Sequence, residues 1–278
     1  MAGARGLFAG KTALVTGGTS GIGLAFARMV AADGGNVALI ARRADRLKRV
    51  RKELATAHPD GTFASYSLSV TNYSQLKRAV SQTETKVGPI DFCFNCAGSA
   101  YTDYFADIPV SRFQQQMELN YLGSVFPAKA VAPYMRRRGR GHILNVSSVA
   151  GFLGVFGYAA YSPSKFAVMG FSRALAAELK PDGVRVSVLC PPDVDTPGLE
   201  QENERKPLET KIIGGSANLM RPEDVALYTA KKMRRGSFLI LPNFESRLIY
   251  RAAMLFPSLP YWIMDRQIKT ARKQKNSR

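Results

Sequence analysis

An α/β fold built on one doubly wound parallel sheet is what this sequence predicts, and three observations predict it. Strand-like and helix-like segments alternate from residue 11 to about residue 241. The strand-like runs are apolar almost throughout rather than at every second residue, which fits a sheet covered on both faces. A glycine-rich turn, "VTGGTSGIG", joins the first strand to the first helix. With 278 residues, 46% of them hydrophobic and 22% charged, the chain can bury one large core.

The elements follow in order. "KTALVTGG" is a β-branched run, and "GIGLAFARMVAADGG" has helical spacing closed by Gly34 and Gly35. "NVALIA", "GTFASYSL" and "IDFCFNC" read as strands, with "ADRLKRVRKELATA" and "NYSQLKRAVSQTETKVG" as the helices between them. A long helix is expected around 107–137, then the strand "GHILNVSS", a helix over 158–180 and the strand "VRVSVLC". "RPEDVALYTAKKMRR" carries Pro222 near its start, acids in its first turn and bases in its last. "SFLILP" is the final strand, and no linker, repeat or low-complexity tract precedes residue 242.

Gly17, Gly21 and Gly23 permit a tight turn, a close approach of backbone to a pyrophosphate, and close helix packing, with the helix N-terminus facing the phosphates. Strand before and helix after is the context a dinucleotide site requires. The second strand ends "LIARRADR", with Ala41 where an NAD enzyme places a carboxylate for the ribose 2′-OH. Arg42, Arg43 and Arg46 follow, and guanidinium forks suit a 2′-phosphate, so the cofactor reads as NADPH/NADP. The bland alternative is a solvated basic turn.

"YSPSK" sets Tyr161 and Lys165 four residues apart, on one face of a helix. An ammonium beside a phenol stabilises the phenolate, which makes Tyr161 a proton donor to a carbonyl oxygen becoming an alcohol. "NVSSVAG" lies just upstream; Ser147 and Ser148 face opposite ways if the strand persists there, so only one reaches the site. "NCAG" closes the fourth strand, and Asn120 lies in "MELNYLGS".

With these motifs in order and at suitable spacing, residues 10 to about 241 resemble the short-chain dehydrogenase/reductase family. The resemblance implies a Rossmann fold and a Ser-Tyr-Lys-Asn active site. Ser148 would polarise the carbonyl, with Ser147 the lesser choice, and Tyr161 would give the proton. Lys165 would hold the nicotinamide ribose and lower the Tyr161 pKa, and Asn120 would support a water relaying protons to Lys165. The cofactor-binding set it implies is Gly17, Thr19, Ser20, Gly21, Ile22, Gly23, Arg42, Arg46, Asn95, Ala97, Gly98, Tyr161, Lys165, Pro191, Val194 and Thr196, with no metal. Two departures stand out: Ser69 where the family usually has an Asp beside the adenine, and Pro192 in place of a Gly.

The formal charge of +18 points to an anionic partner or to generic solubility. Against it, "CPPDVDTPGLEQENERKPLET" (190–210) gathers six of only 21 acidic residues. This stretch, with "NYLGSVFPAKAV" and "YSPSKFAVMGF", resembles the family's reductases of a long-chain (sphingoid) amino-ketone. Asp193 or Asp195 would then meet the substrate amine; the alternative is that both cap the following turn or helix. Glu200 to Glu209 read as a solvated helix face, and about 193–220 as a loop over the substrate. Runner-up activities are a 3-oxoacyl-carrier-protein reductase, a hydroxysteroid-type carbonyl reductase and a non-catalytic NADP-sensing protein.

Residues 242–278 leave the pattern. "AAMLFPSLPYWIM" is apolar but only 13 residues long and contains Pro257 and Pro260, and "DRQIKTARKQKNSR" behind it has six basic residues and one acid. That combination suits an interfacial anchor on an anionic membrane surface, or packing against a second subunit or over the substrate mouth. A homo-oligomer is expected. Cys93 and Cys96 sit three apart on one strand and so point apart, which argues against a redox or metal pair. No basic helix with interleaved aromatics suggests nucleic acid. "MAGARGLFAG" offers no signal-peptide core, and no run spans a bilayer, so the chain reads as cytoplasmic, with peripheral membrane attachment the variant to test.

Overall fold

A computed structural model describes residues 6–215 and 219–276. The expectations about the N-terminal leader, the substrate loop and the basic tail fall partly on residues 1–5, 216–218 and 277–278, which lie outside the described residues.

Seven strands are joined in one sheet: β1 (Thr12–Thr16), β2 (Asn36–Ala41), β3 (Phe63–Ser67), β4 (Ile90–Asn95), β5 (Gly141–Val146), β6 (Val184–Leu189) and β7 (Leu239–Ile240). Their order is β3-β2-β1-β4-β5-β6-β7 and every pairing is parallel. The order turns back between β1 and β4, and such a switch point opens a crevice at the C-terminal ends of the strands.

Helices cover both faces. One core layer packs α1 (Gly21–Ala32), α2 (Ala44–Ala57) and α9 (Pro222–Arg234) against side chains such as Val15, Phe94 and Leu189. The other packs α3 (Tyr73–Lys86), α5 (Gly123–Arg138) and α6 (Tyr161–Leu179) against Leu14, Cys93 and Ile143. Cys93 belongs to the second layer and Cys96 packs against the first, so the two thiols do face apart.

The helix expected over 107–137 is interrupted. α4 (Val110–Gln116) passes through a π-helical turn at Met117–Leu122 before α5 begins. The wider turn carries Asn120, which explains why a regular 3.6-residue period did not reveal it. α9 begins at Pro222 with Glu223 and Asp224 in its first turn and Lys231, Lys232 and Arg234 in its last, as its sequence predicts.

The acidic stretch folds into α7 (Pro197–Asn203) and α8 (Leu208–Gly214). Residues 242–278, where the alternating pattern stops, contain α10 (Phe244–Leu255) and α11 (Leu259–Asn276). Pro260 falls in the first turn of α11, where its missing N–H costs nothing. Met264 on α11 joins Phe152, Leu153, Met169, Cys190 and Leu241 in a third apolar cluster, with Ile249 of α10 and Ile213 of α8 on its edge. The C-terminal helices are thereby packed onto the β6–β7 end of the sheet, beside the crevice.

Candidate active site

The crevice holds a cavity of about 430 Å³. Gly17 lines it after β1, Gly98 after β4, Ser148 after β5 and Pro191 after β6, and Tyr161 and Lys165 enter from the start of α6. Thr16 Oγ1 accepts from the N–H groups of Cys96 (3.1 Å) and Ala97 (3.2 Å), locking the loop after β4 against the end of β1.

The glycine turn is tight enough that side chains are excluded. Gly21 has φ +52, and a Cβ there would lie 2.9 Å from Thr196 Cγ2; a Cβ on Gly23 would lie 2.5 Å from Gly17 O. Ser20 is the N-cap of α1, yet its hydroxyl caps no backbone N–H. The first helical turn and that hydroxyl therefore remain available to an anion, as a pyrophosphate site requires. Arg42 and Arg46 follow β2 with no ion pair among the described residues, so their guanidinium groups are free for a phosphate. The residues present thus fit a phosphorylated dinucleotide.

Gly17, Ser20, Gly21, Ile22, Gly23, Ala97, Gly98, Pro191, Val194 and Thr196 line the cavity; Thr19, Arg42, Arg46 and Asn95 do not. Asn95 is 1% exposed, and its Nδ2 donates to Asn145 Oδ1 (2.8 Å) and Ser124 O (3.2 Å). Its carboxamide ties β4 to β5 and α5.

Ser147 and Ser148 part as alternation demands. Ser147 Oγ donates to Lys165 O at 2.9 Å in the core, whereas Ser148 lines the cavity with Tyr161, where its hydroxyl works to lower the Tyr161 pKa. Ser148 Oγ also accepts from Ala150 N (3.1 Å), which fixes its rotamer. The lesser choice, Ser147, is thereby a structural group.

Lys165 is 5% exposed and donates from Nζ to Val146 O at 2.9 Å. Burial pulls its pKa down to about 8. Asn120 is fully buried; its Oδ1 accepts from Ser99 N (3.0 Å) and its Nδ2 reaches Ser164 Oγ (2.9 Å). A Cβ built on Gly98 would lie 2.9 Å from Asn120 Oδ1 and 3.4 Å from Lys165 Nζ, so glycine keeps the space between them open.

One implied effect is corrected here. Lys165 was expected to lower the Tyr161 pKa, yet the phenol stands well above its ordinary value. Burial is the main cause, the Glu202 carboxylate adds to it, the Ser148 hydroxyl opposes it, and Asp193 raises it further. The Lys165 ammonium is turned toward Val146 O and lies 5.7 Å from the Tyr161 ring centre, and whatever it contributes does not offset burial.

The acidic stretch also departs from expectation. Glu200 and Glu204 are exposed, but Glu202 and Glu209 are not a solvated face. Tyr104 OH donates to Glu209 Oε2 (2.9 Å), and Tyr158 OH donates to Glu202 Oε1. Lys206 Nζ, 6% exposed, lies 2.8 Å from Glu202 Oε1 and 3.1 Å from Asp193 Oδ2. Burial alone would lower the Lys206 pKa, but the two carboxylates outweigh it and the net shift is upward. Neither aspartate caps a helix: Thr196 caps α7, accepting from Leu199 N (3.3 Å). Asp193 lines the cavity, and so do Glu202, Lys206 and Tyr158; Asp195 is exposed and does not.

Glu202, Lys206 and Tyr158 were missed by sequence reasoning. The i,i+4 spacing of Glu202 and Lys206 was the available signal, but on its own it suggests a surface pair. Among the described residues no cluster of metal-ligating side chains exists.

Residues 11–207 match the family model for short chain dehydrogenase. The chain is 42% identical to "3-dehydrosphinganine reductase" of Danio rerio, over 82% of this chain and 70% of that protein. It is 36% identical to "3-ketodihydrosphingosine reductase" of Dictyostelium discoideum, over 90% of this chain and 79% of that one. Among solved structures it resembles a short-chain dehydrogenase from Sphingobium yanoikuyae in complex with NADPH, with a TM-score of 0.75, 25% identity and coverage of 87% of this chain and 91% of that one. With the crevice, the glycine turn and the Ser-Tyr-Lys-Asn set in register with that match, the chain belongs to the short-chain dehydrogenase family.

Proposed function

We propose that this chain reduces the 3-keto group of 3-ketodihydrosphingosine to dihydrosphingosine in sphingolipid biosynthesis, with NADPH as reductant. The observation that carries the reading is the convergence of Ser148, Tyr161 and Lys165 on one cavity, in a chain 42% identical to a 3-dehydrosphinganine reductase. NADPH, when bound, supplies the hydride. The glycine turn and Ser20 would take its pyrophosphate, Arg42 and Arg46 its 2′-phosphate, and Thr196 and Val194 its nicotinamide end.

The chain's own residues manage the oxygen. Ser148 and Tyr161 line the same cavity, and their hydroxyls would polarise a ketone oxygen placed between them. The raised pKa keeps Tyr161 protonated at neutral pH, and that proton passes to the oxygen as the alcohol forms. Lys165 and Asn120, beside the open space at Gly98, restore the proton from solvent.

Oxidation of NADPH is to be followed with 3-ketodihydrosphingosine, a β-ketoacyl thioester and a 3-ketosteroid. Faster turnover of the thioester or steroid would overturn the assignment in favour of a carrier-protein or hydroxysteroid reductase.

We also propose that α10 and α11 rest on an anionic lipid surface. Among the described residues, nine of the fourteen exposed large apolar side chains fall between Phe244 and Ile263, with Leu255 at 71%, Phe256 at 63% and Trp262 at 51%. Arg247, Arg251, Arg266 and Lys269 lie on the same two helices. Ser246 and Ile249 of α10 also line the cavity, so its mouth opens beside this patch and a long-chain substrate can enter from lipid. No helix among the described residues is long and apolar enough to cross a membrane. The double variant Leu255→Glu, Phe256→Glu is expected to lose at least about tenfold in sedimentation with anionic vesicles, each glutamate adding like-charge repulsion to the lost apolar contact. Unchanged sedimentation counts against the patch.

A further inference from the structure

The proposed reaction uses Ser148, Tyr161, Lys165 and Asn120, and leaves unexplained a second, charged group of side chains on the same cavity. Glu202, Lys206, Asp193 and Tyr158 meet there. Burying charge in a cavity wall is costly unless every group is paired, and a fully compensated cluster would need one more cation.

We propose that Glu202 and Asp193, held apart by the Lys206 ammonium, form the subsite for the substrate's own ammonium, so that the chain selects an α-amino ketone over the neutral ketone of the same length. This rests on the sphingoid reading above and deepens it. Asp195, exposed and outside the cavity lining, has no part in the subsite.

Three observations carry the inference. The cluster holds two carboxylates against one ammonium, leaving a formal charge of −1 facing the cavity. Its bonds are also asymmetric. Glu202 Oε1 takes both Lys206 and Tyr158, and Asp193 Oδ2 takes Lys206, while Glu202 Oε2 and Asp193 Oδ1 have no hydrogen bond among the described residues. Two carboxylate oxygens with open lone pairs are what an incoming ammonium with three donors requires.

Position is the third. The amine of the substrate lies one carbon from the ketone, so its subsite must lie close to the proton donor. Tyr158 spans that gap: its hydroxyl is bonded to Glu202 and its ring centre is 5.6 Å from that of Tyr161. Lys206 is held in place by both carboxylates, and its side chain is only 6% exposed.

The arrangement gives the amine a second effect. Glu202 and Asp193 both hold the Tyr161 proton in place, and an ammonium on their open oxygens screens both charges. The substrate thus eases proton release as it binds, and a neutral analogue does not. The loss on removing the amine therefore falls on kcat as well as on KM.

The test compares kcat/KM for 3-ketodihydrosphingosine and its N-acetylated form in the wild-type chain, in Glu202→Gln and in Asp193→Asn, with NADPH present throughout. The wild type is expected to favour the free amine by about 100-fold. Each variant should lower the amine substrate at least about ten times more than the acetamide, which a merely structural loss would not do. Asp193, half-exposed, guards against a folding failure in the Glu202 variant. Equal losses on both ketones, or a wild type indifferent to acetylation, would overturn the subsite. If the wild type turns over neither ketone, the sphingoid reading itself falls and takes the subsite with it.

Discussion

The two walls of the cavity solve the same electrostatic problem in opposite ways. On one wall Lys165 is a buried cation with no carboxylate partner among the described residues, held by the Val146 carbonyl, and burial depresses its pKa. On the other, Lys206 is also buried but sits between Glu202 and Asp193, and its pKa rises. An uncompensated charge costs stability and survives where chemistry needs it; a compensated one can hold a shape. On the proposed mechanism, the difference separates the wall that moves protons from the one that recognises the substrate.

The sharpest way to break that contrast is Tyr161→Phe. The ring stays, so core contacts are kept and only the hydroxyl is lost. Turnover should fall by about a thousandfold, within the range general acids contribute, while the thermal midpoint moves by only a few degrees. Stopped NADPH oxidation with an intact unfolding transition is the expected pair of results. Retained turnover would remove Tyr161 from the proton path.

How much of this was legible in the sequence follows the same division. The first wall was readable because its residues are fixed by local rules: strand alternation separated Ser148 from Ser147, and helical spacing set Tyr161 beside Lys165. Arg42 and Arg46 follow the end of β2, where strand alternation placed them. The second wall depends on tertiary packing. Glu202 and Lys206 look like a surface i,i+4 pair until Tyr158 and Asp193, 44 and 13 residues away respectively, close over them. Asn120 was found by motif, but its π-helical turn has no sequence period to betray it. The C-terminal helices were hidden by Pro257 and Pro260, which mark a break without saying what lies on either side.

The next effect in size belongs to Lys165→Met, expected to lower turnover about a hundredfold. The pH dependence carries the more telling sign. In the folded chain Lys165 titrates at about 8, against 10.5 for an ordinary lysine. Between those values the unfolded chain binds one more proton than the folded one, so stability rises with pH through that window. Below about pH 8 both states are protonated and the burial cost is carried in full. The methionine variant should lack that rise, and should be no less stable than the wild type at pH 7 if the cost of burying the charge exceeds its one hydrogen bond to Val146. Reduction should also slow above about pH 8 in the wild type, as the cation is lost. Thermal midpoints at pH 7 and pH 10, in both chains, check the sign; a parallel rise in the two would assign it to another group.

The smallest effect separates the two tyrosines, whose rings lie 5.6 Å apart. Tyr158 is 8% exposed and spends its hydroxyl on Glu202, not on the reacting oxygen. Tyr158→Phe should therefore cost about 1–2 kcal/mol of stability, the worth of a hydrogen bond to a charged group, and lower turnover of the amine only about threefold. Turnover of the acetamide should fall less, because the phenol acts there only through Glu202. A thousandfold loss would place Tyr158 in the proton path and make the two walls one. A small loss with a lowered midpoint keeps them distinct: one tyrosine gives its proton to the product, and the other uses its proton to aim a carboxylate.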